Sequence, residues 1–521
     1  MPQRDADTNH GATAATPTTK HDSPRTLPLI FIAGFTVNYL LMGLSRYGYM
    51  LPIPTSAHVE LAYLVLIAYG AAHAQRWGTG ASRAMGPMIG IYLAWTFFST
   101  IQAVNLSSEI DFSTIITRWL AEYRTMTLQV FWAFMVNGLY FKRMEQVRAL
   151  YRLWALLTIV AVAWGLRQQF GGFDRAEWAW LLAVGMKTHF VNGIIRYFSF
   201  FSEAANYGCC MGASTVVFGV LFLTTTSSKR DRMLFGLAAA AALYGMMASG
   251  ARAAIFVLAA GLMAYCVISK RISTLIATMV VGGLFVGFLM LTDIGQGNAM
   301  IRRMRSAFNK EDNSLAVREI NKATMKRYID AMPFGLGAGI RNSDVPPSNK
   351  NHYLATVPPD STWVYVDIHY GHLGQLLFLL SFGGMIAIGG MKVLFNIRDP
   401  ELSGQMAAIV AGSFAMFVAG YANQIMLQFP NTWLFFGNLS LVALAEEMEQ
   451  QRNADLAAAQ GNAPHTAETA HHSIFPLESQ PPLAYPLDNP PASQAPLDTQ
   501  TPVAFPLDNL PADIFPLDHK A

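Results

Sequence analysis

The chain has 521 residues, 53% of them hydrophobic and only 13% charged. Soluble domains carry about 25% charged residues, so the composition excludes an ordinary soluble domain and points to an all-α polytopic membrane protein. The net charge of +3 excludes little, because in such a chain the placement of charge matters more than its sum.

Residues 1–26 (MPQRDADTNHGATAATPTTKHDSPRT) read as a polar, disordered tail with no cleavable signal peptide. A spanning helix needs about 20 mostly apolar residues. Runs that meet or approach this lie near 27–45, 55–74, 86–104, 125–141, 151–166, 205–226, 233–250, 253–269, 273–292, 364–391, 405–424 and 430–446. They predict about twelve transmembrane helices, nine in 27–292 and three in 364–446, around a large loop domain at 293–363. The runs near 125–141 and 151–166 are short, and 178–186 reads as an extra interfacial or re-entrant piece. Within the loop, SLAVREINKATMKRYIDAM spaces Leu315, Ile320, Met325, Tyr328, Ile329 and Met332 as an amphipathic helix, and the glycines of PFGLGAGIRNS end it.

A cytoplasmic N-terminus makes every alternate connection basic: Arg76 and Arg83, then Lys142, Arg143, Arg148 and Arg152, then Lys229, Arg230 and Arg232, then Lys270 and Arg271, then Lys392 and Arg398. By the positive-inside rule both termini are then cytoplasmic, and the connections near 167–204 and 293–363 lie outside. Cys209, Cys210 and Cys266 sit in apolar runs without disulfide or metal-ligand spacing and read as packing. The tail at 447–521 is Pro-rich and repeats a decamer marked by FPLE, YPLD, APLD, FPLD and FPLD. It reads as disordered, either a neutral repeat expansion or a docking tail for a cytoplasmic partner.

Soluble-enzyme signatures are missing: there is no GxxxxGK[ST], no HExxH and no zinc spacing. What remains is a set of arginines at the outside ends of helices: Arg196, Arg252, Arg318 and Arg341. Each alone reads as well as a side chain snorkelling to lipid headgroups. Several on one side, flanking the two long outside segments, suggest a phosphate or diphosphate ligand, because guanidinium binds phosphate bidentately.

Four segments carry a family resemblance: RYFSFFSEAANYG (196–208), SGARAA (249–254), AVREINKATMKRYIDAMPFGLGAG (316–339) and DSTWVYVDIHYGHLG (360–374). Their order resembles the superfamily of O-antigen ligases and Wzy-type O-antigen or exopolysaccharide polymerases. The resemblance covers about 196–391; the N-terminal half matches in hydropathy alone, and the decamer tail lies outside it. It implies a helical bundle like that of GT-C glycosyltransferases, in a bacterial inner membrane. The partners it implies are an undecaprenyl-diphosphate-linked glycan donor, a glycan acceptor, the bilayer, and chain-length regulator or export proteins. No nucleic acid is expected, and the implied inverting transfer uses no metal and no cofactor. Counting back from Gly371 and Gly374, Asp360 stands where the ligases keep a histidine. That departure tilts the expectation from ligase toward polymerase.

The resemblance assigns Arg196, Arg252 and Arg318 to the departing diphosphate and Asp360 to the acceptor's proton, with His369 or His372 as substitutes for Asp360. Arg341 and Trp363 join the substrate-binding set, and Gly335, Gly337 and Gly339 are expected to bring the loop backbone close to the glycan. The bland reading of Asp360 is the N-cap of the helix that follows. The main rival function is a transporter or flippase for a lipid-linked substrate, and against it the two halves show no internal similarity.

Overall fold

The computed structural model describes residues 25–43, 57–73, 79–106, 109–191, 194–269, 272–306, 320, 323–356 and 361–461. Each of the twelve apolar runs falls on a helix. In chain order these are α1 Leu29–Leu40, α2 Ala57–Ala72, α3 Thr79–Ile101, α4 Gln129–Tyr140, α5 Met144–Leu166 and α6 Ala204–Thr224. They continue as α7 Lys229–Ala248, α8 Ala253–Ile268, α9 Ile272–Leu291, α10 Thr362–Phe395, α11 Pro400–Ala422 and α12 Leu439–Gly461. Among the described residues, five helical stretches are long and apolar enough to cross a membrane: Met85–Val104, Met144–Gly171, Ala204–Thr224, Thr362–Phe395 and Pro400–Ala422. With large apolar side chains such as Leu29, Phe97 and Val267 on the surface at 70% exposure or more, these helices mark a membrane protein. Both the 1–24 stretch and the decamer repeats fall outside the described residues.

Helix boundaries follow the sequence closely. Ser228 caps α7 by accepting from the backbone N–H of Asp231, and Asp399 caps α11 ahead of Pro400. At α10 the cap is Ser361, which accepts from Val364 N at 3.1 Å. The capping task is thus filled by the residue beside Asp360, which itself lies outside the described residues.

The core is built on α6 and α11, whose most apolar windows are 72% and 78% buried against 33% for Met85–Val104. Helix α6 packs on α7, α8 and α11, and α3 packs on α10. Glycines set the close crossings: a Cβ on Gly261 would meet Val216 at 2.7 Å, and one on Gly412 would meet Val217 at 2.6 Å. Trp433 fills the middle of α1, α2 and α4, with its ring centroid 4.7 Å from that of Tyr63 and 4.8 Å from that of Phe35.

The two ends of the bundle differ. At the basic end, Arg152 forks onto Asp231 at 2.7 and 2.6 Å, Arg148 reaches Glu401 and Lys392 reaches Glu446. Arg143 pairs there with Asp455, and Arg452 with Asp399. The last two pairs hold α12 in place past residue 446, where the sequence reading begins its disordered tail; the helix continues to Gly461.

The loop end carries the described parts of the connections 167–203, 249–252, 292–361 and 423–431. Residues 178–186 form neither a strand nor a span but two short helices, Arg175–Trp180 and Met186–His189, around a π turn. A two-residue ladder pairs Phe190 with Ile195 and Val191 with Ile194, a small departure from an all-α chain. An amphipathic helix that hydropathy misses, Phe112–Tyr123, lies across this end. Its Ile115 joins Met325, Ile329, Met332, Leu336, Ile340 and Ile368 in a second, smaller core. This is the face that the 315–332 pattern predicts, seen over 323–332, whereas Ile320 of the same pattern is exposed.

Candidate functional site

Three arginines meet where α7 turns into α8. The turn Ser249–Arg252 is tight because Gly250 sits at φ +59, and Ser249 Oγ accepts from Ala251 N while donating to Met246 O. Gly208 of α6 backs onto Ser249 and Ala251 so closely that any side chain there would collide with them. Two arginine side chains pass over Gly250. Arg303 donates from Nε to Gly250 O at 2.9 Å. Arg196 donates from Nε to Ser249 O at 3.3 Å and from its terminal nitrogen to Thr188 O at 3.0 Å. Burial pulls the Arg196 guanidinium down to about 10; repulsion from Arg303 and Arg252 adds to this, and Glu203 opposes it. Arg303 is lowered by burial and by Arg252. Arg196 and Arg303 stay cationic at neutral pH and are held by neutral carbonyls.

The segment carrying Arg196 is fixed from three directions. Gln168 donates to Ser199 O and accepts from Ser199 N, both at 2.8 Å. His189 Nε2 accepts from Ala204 N, the first amide of α6. Asn206 donates to Ser202 Oγ and receives Asn431 Nδ2, each at 2.8 Å, tying α6 to the 424–431 connection. The Asn and Gly of the 196–208 motif therefore position the arginine turn.

A polar cleft of about 540 Å³ opens beside this region, walled by the helix Phe112–Tyr123, residues 339–342 and the first turns of α10. A cavity of about 380 Å³ continues from it past Gln424 to Ser202 and Gln428. Glu122 lines both. Burial pushes its carboxyl up to about 7, against a hydrogen bond from Tyr365 and the charge of Arg341, which both pull it down. Arg118 forks onto Asp344 at 2.8 and 2.7 Å and anchors the wall.

The predicted site residues divide. Arg196 and Arg252 come together, whereas Arg318 and Asp360 lie outside the described residues. Arg341 and His369 line the cleft, and the His369 ring nitrogens lie 2.9 and 3.0 Å from the carbonyls of Tyr365 and Ile340. His372 sits outside it, clamped between Asp367 at 2.7 Å and Asp330 at 2.8 Å. Trp363 packs on Phe417 and Tyr421 of α11. Gly335, at φ +75, lies against the backbone of α10, and Gly339, at φ +71, against the Arg118 carbonyl. Gly337, at φ +112, donates its N–H to His369 O.

Two functional candidates escape the sequence reading. Arg303 belongs to the run IRRMR (301–305), a signal of clustered charge at the start of the long loop. Glu122 stands between Arg118 and Arg124 just before an apolar run, where a lone acid gives no pattern. Comparison with protein families and with curated proteins finds no match to this chain.

Proposed function

We propose that the protein is an inner-membrane glycosyltransferase that uses an undecaprenyl-diphosphate-linked glycan at the periplasmic face and polymerises exopolysaccharide or O-antigen repeats. The observation that carries this is the contrast between the paired arginines of the basic end and the arginine turn at the loop end. Arginines of the basic end are neutralised by Asp231, Glu401, Asp455 and Asp399. Arg196, Arg252 and Arg303 repel one another, and Arg196 and Arg303 are fixed by carbonyls, an arrangement that a diphosphate would relieve. The basic end is then cytoplasmic and the loop end periplasmic, with both termini in the cytoplasm and more of the twelve helices spanning than the five that are long and apolar enough by themselves.

In this reading the acceptor hydroxyl attacks the anomeric carbon, the bond from that carbon to the diphosphate oxygen breaks, and configuration inverts. The lipid diphosphate leaves with the bonding electrons, and the preorganised guanidiniums stabilise its growing charge. The hydroxyl proton passes to a carboxylate, the task assigned to Asp360 on resemblance. The test uses lipid-linked glycan extracted from cells lacking this protein. Purified wild type should consume it, releasing undecaprenyl diphosphate and longer glycan. Glycan moved across a vesicle membrane with its lipid bond intact would replace this reading with a flippase; glycan delivered to lipid A-core would make it a ligase.

A further inference from the structure

The cleft and its continuation share Glu122, Thr125 and Gln424, so they form one channel along the loop end. Its charges are largely matched within the fold. Arg118 is engaged by Asp344, Arg124 lies 2.5 Å from Glu60, and Arg341 faces Glu122. The remaining polar lining is made of amides and hydroxyls, among them Thr125, Gln424, Gln428 and Ser202, with the rings of His58 and His369. An anion gains more at the crowded arginines of the neighbouring turn. A neutral polyol suits the channel better, because a carboxylate accepts two hydroxyl protons while amides and hydroxyls both donate and accept. The far end, at Ser202, is one residue from Glu203, whose carboxylate feels Arg196.

We propose that this channel is the subsite for a neutral, hydroxyl-rich acceptor glycan, with Glu122 accepting hydrogen bonds from its hydroxyls. The assignment rests on the transferase reading, in which the arginines hold the diphosphate. Acceptor channel and arginine turn then abut in the order that transfer requires, the acceptor's reacting end emerging at Ser202.

Binding tests it directly, with full-length protein in detergent. The probe is a neutral oligosaccharide mixture released from the cells' own surface polymer by partial acid hydrolysis and labelled at its reducing end. Fluorescence anisotropy should show at least a tenfold weaker affinity for Glu122→Gln and for Gln424→Ala, and unchanged affinity for Arg196→Lys. Equal affinity in wild type and Glu122→Gln overturns the assignment. Should that variant misfold, Gln424→Ala and Thr125→Val carry the test, and unchanged affinity in both overturns it equally. Donor consumption is followed in parallel. Wild type that consumes donor but binds no oligosaccharide removes the channel assignment and leaves the transferase. Wild type that binds oligosaccharide but never consumes donor removes the transferase and leaves a saccharide site.

Discussion

A guanidinium fork has two kinds of partner in this protein. Arg152 meets a carboxylate in parallel at Asp231, whereas Arg196 donates to the carbonyls of Ser249 and Thr188 and Arg303 to that of Gly250. Lysine in place of Arg196 retains the charge but cannot hold Ser249 O and Thr188 O while presenting a planar fork to phosphate. Arg196→Lys and Arg303→Lys are therefore each expected to lower turnover of the lipid-linked donor by about 100-fold, the scale of losing one preorganised donor. Wild-type rates with normally inserted lysine variants would return these residues to the role of lipid anchors. Glu122 gives a pH signature. Its carboxyl is raised to about 7 by burial, with Tyr365 from α10 and Arg341 from the loop opposing; Arg118 on its own helix and Arg124 in the π turn that follows are both ion-paired, and His369 and His58 line the same channel. The protonated form keeps one oxygen as a donor and accepts less. Oligosaccharide affinity should accordingly rise about tenfold from pH 6 to pH 8, as a group titrating near 7 goes from mostly neutral to mostly ionised. Glu122→Gln should give a flat profile, and a wild-type profile equally flat would remove ionised Glu122 from recognition. Arg196 and Arg252 are legible in sequence because each sits in a motif beside a span. Glu122 is not, since its environment is made by Arg341 and Tyr365, more than 200 positions away.

Helix α10 shows what hydropathy cannot read. Residues 364–391 form one apolar run, yet the helix breaks at Gly371, where φ is +72 and ψ is 177. The carbonyls freed at the break are taken by the loop: Leu336 N donates to Ile368 O at 2.8 Å and Gly337 N to His369 O at 3.1 Å. Gly335 and Gly371 allow this because their backbones touch; a Cβ on Gly335 would lie 2.5 Å from Gly371 N. The glycines of the loop motif thus serve a backbone contact that caps a half-helix and aims Tyr365 and His369 at the cleft. Alanine at 371 must adopt a backbone conformation costing about 1–3 kcal/mol, and its Cβ would also strike the carbonyl of Pro333. Gly371→Ala is expected to lower the thermal midpoint in detergent and to expose the 333–345 segment to protease. A melt and a digestion pattern identical to wild type would show that the break is dispensable. The motif spacing of Gly371 and Gly374 signals that something happens there, but glycine is also common inside spanning helices. Only the partner backbone identifies the break.

At the scale of the molecule, the proposed chemistry and the C-terminal turns of α12 lie at opposite ends of the bundle. Composition changes after residue 446, but charge pairing carries the helix on to Gly461. Glu449 accepts from Arg398 N at 3.0 Å, Arg452 reaches Asp399, and Asp455 meets Arg143, whose side chain is only 4% exposed. Sequence patterning misses this because each partner lies on another element: Arg143 at the start of α5, Arg398 and Asp399 between α10 and α11. The consequence is a pair of truncations with different outcomes. Deleting 462–521 removes no pair described at the basic end and should leave both the thermal midpoint and donor turnover at wild-type values. Deleting 451–521 also removes Arg452 and Asp455, taking the carboxylate from a buried guanidinium. Breaking a fully buried pair costs about 3–5 kcal/mol, and because Asp455 is 33% exposed the cost here should be nearer 1–2 kcal/mol. The longer deletion should therefore melt at a lower temperature, while the protein that remains folded still turns over donor, since the arginine turn and the Glu122 channel are untouched. Loss of turnover in folded protein lacking only 462–521 would mean that the tail reaches the chemistry, and the separation of the two ends would have to be abandoned.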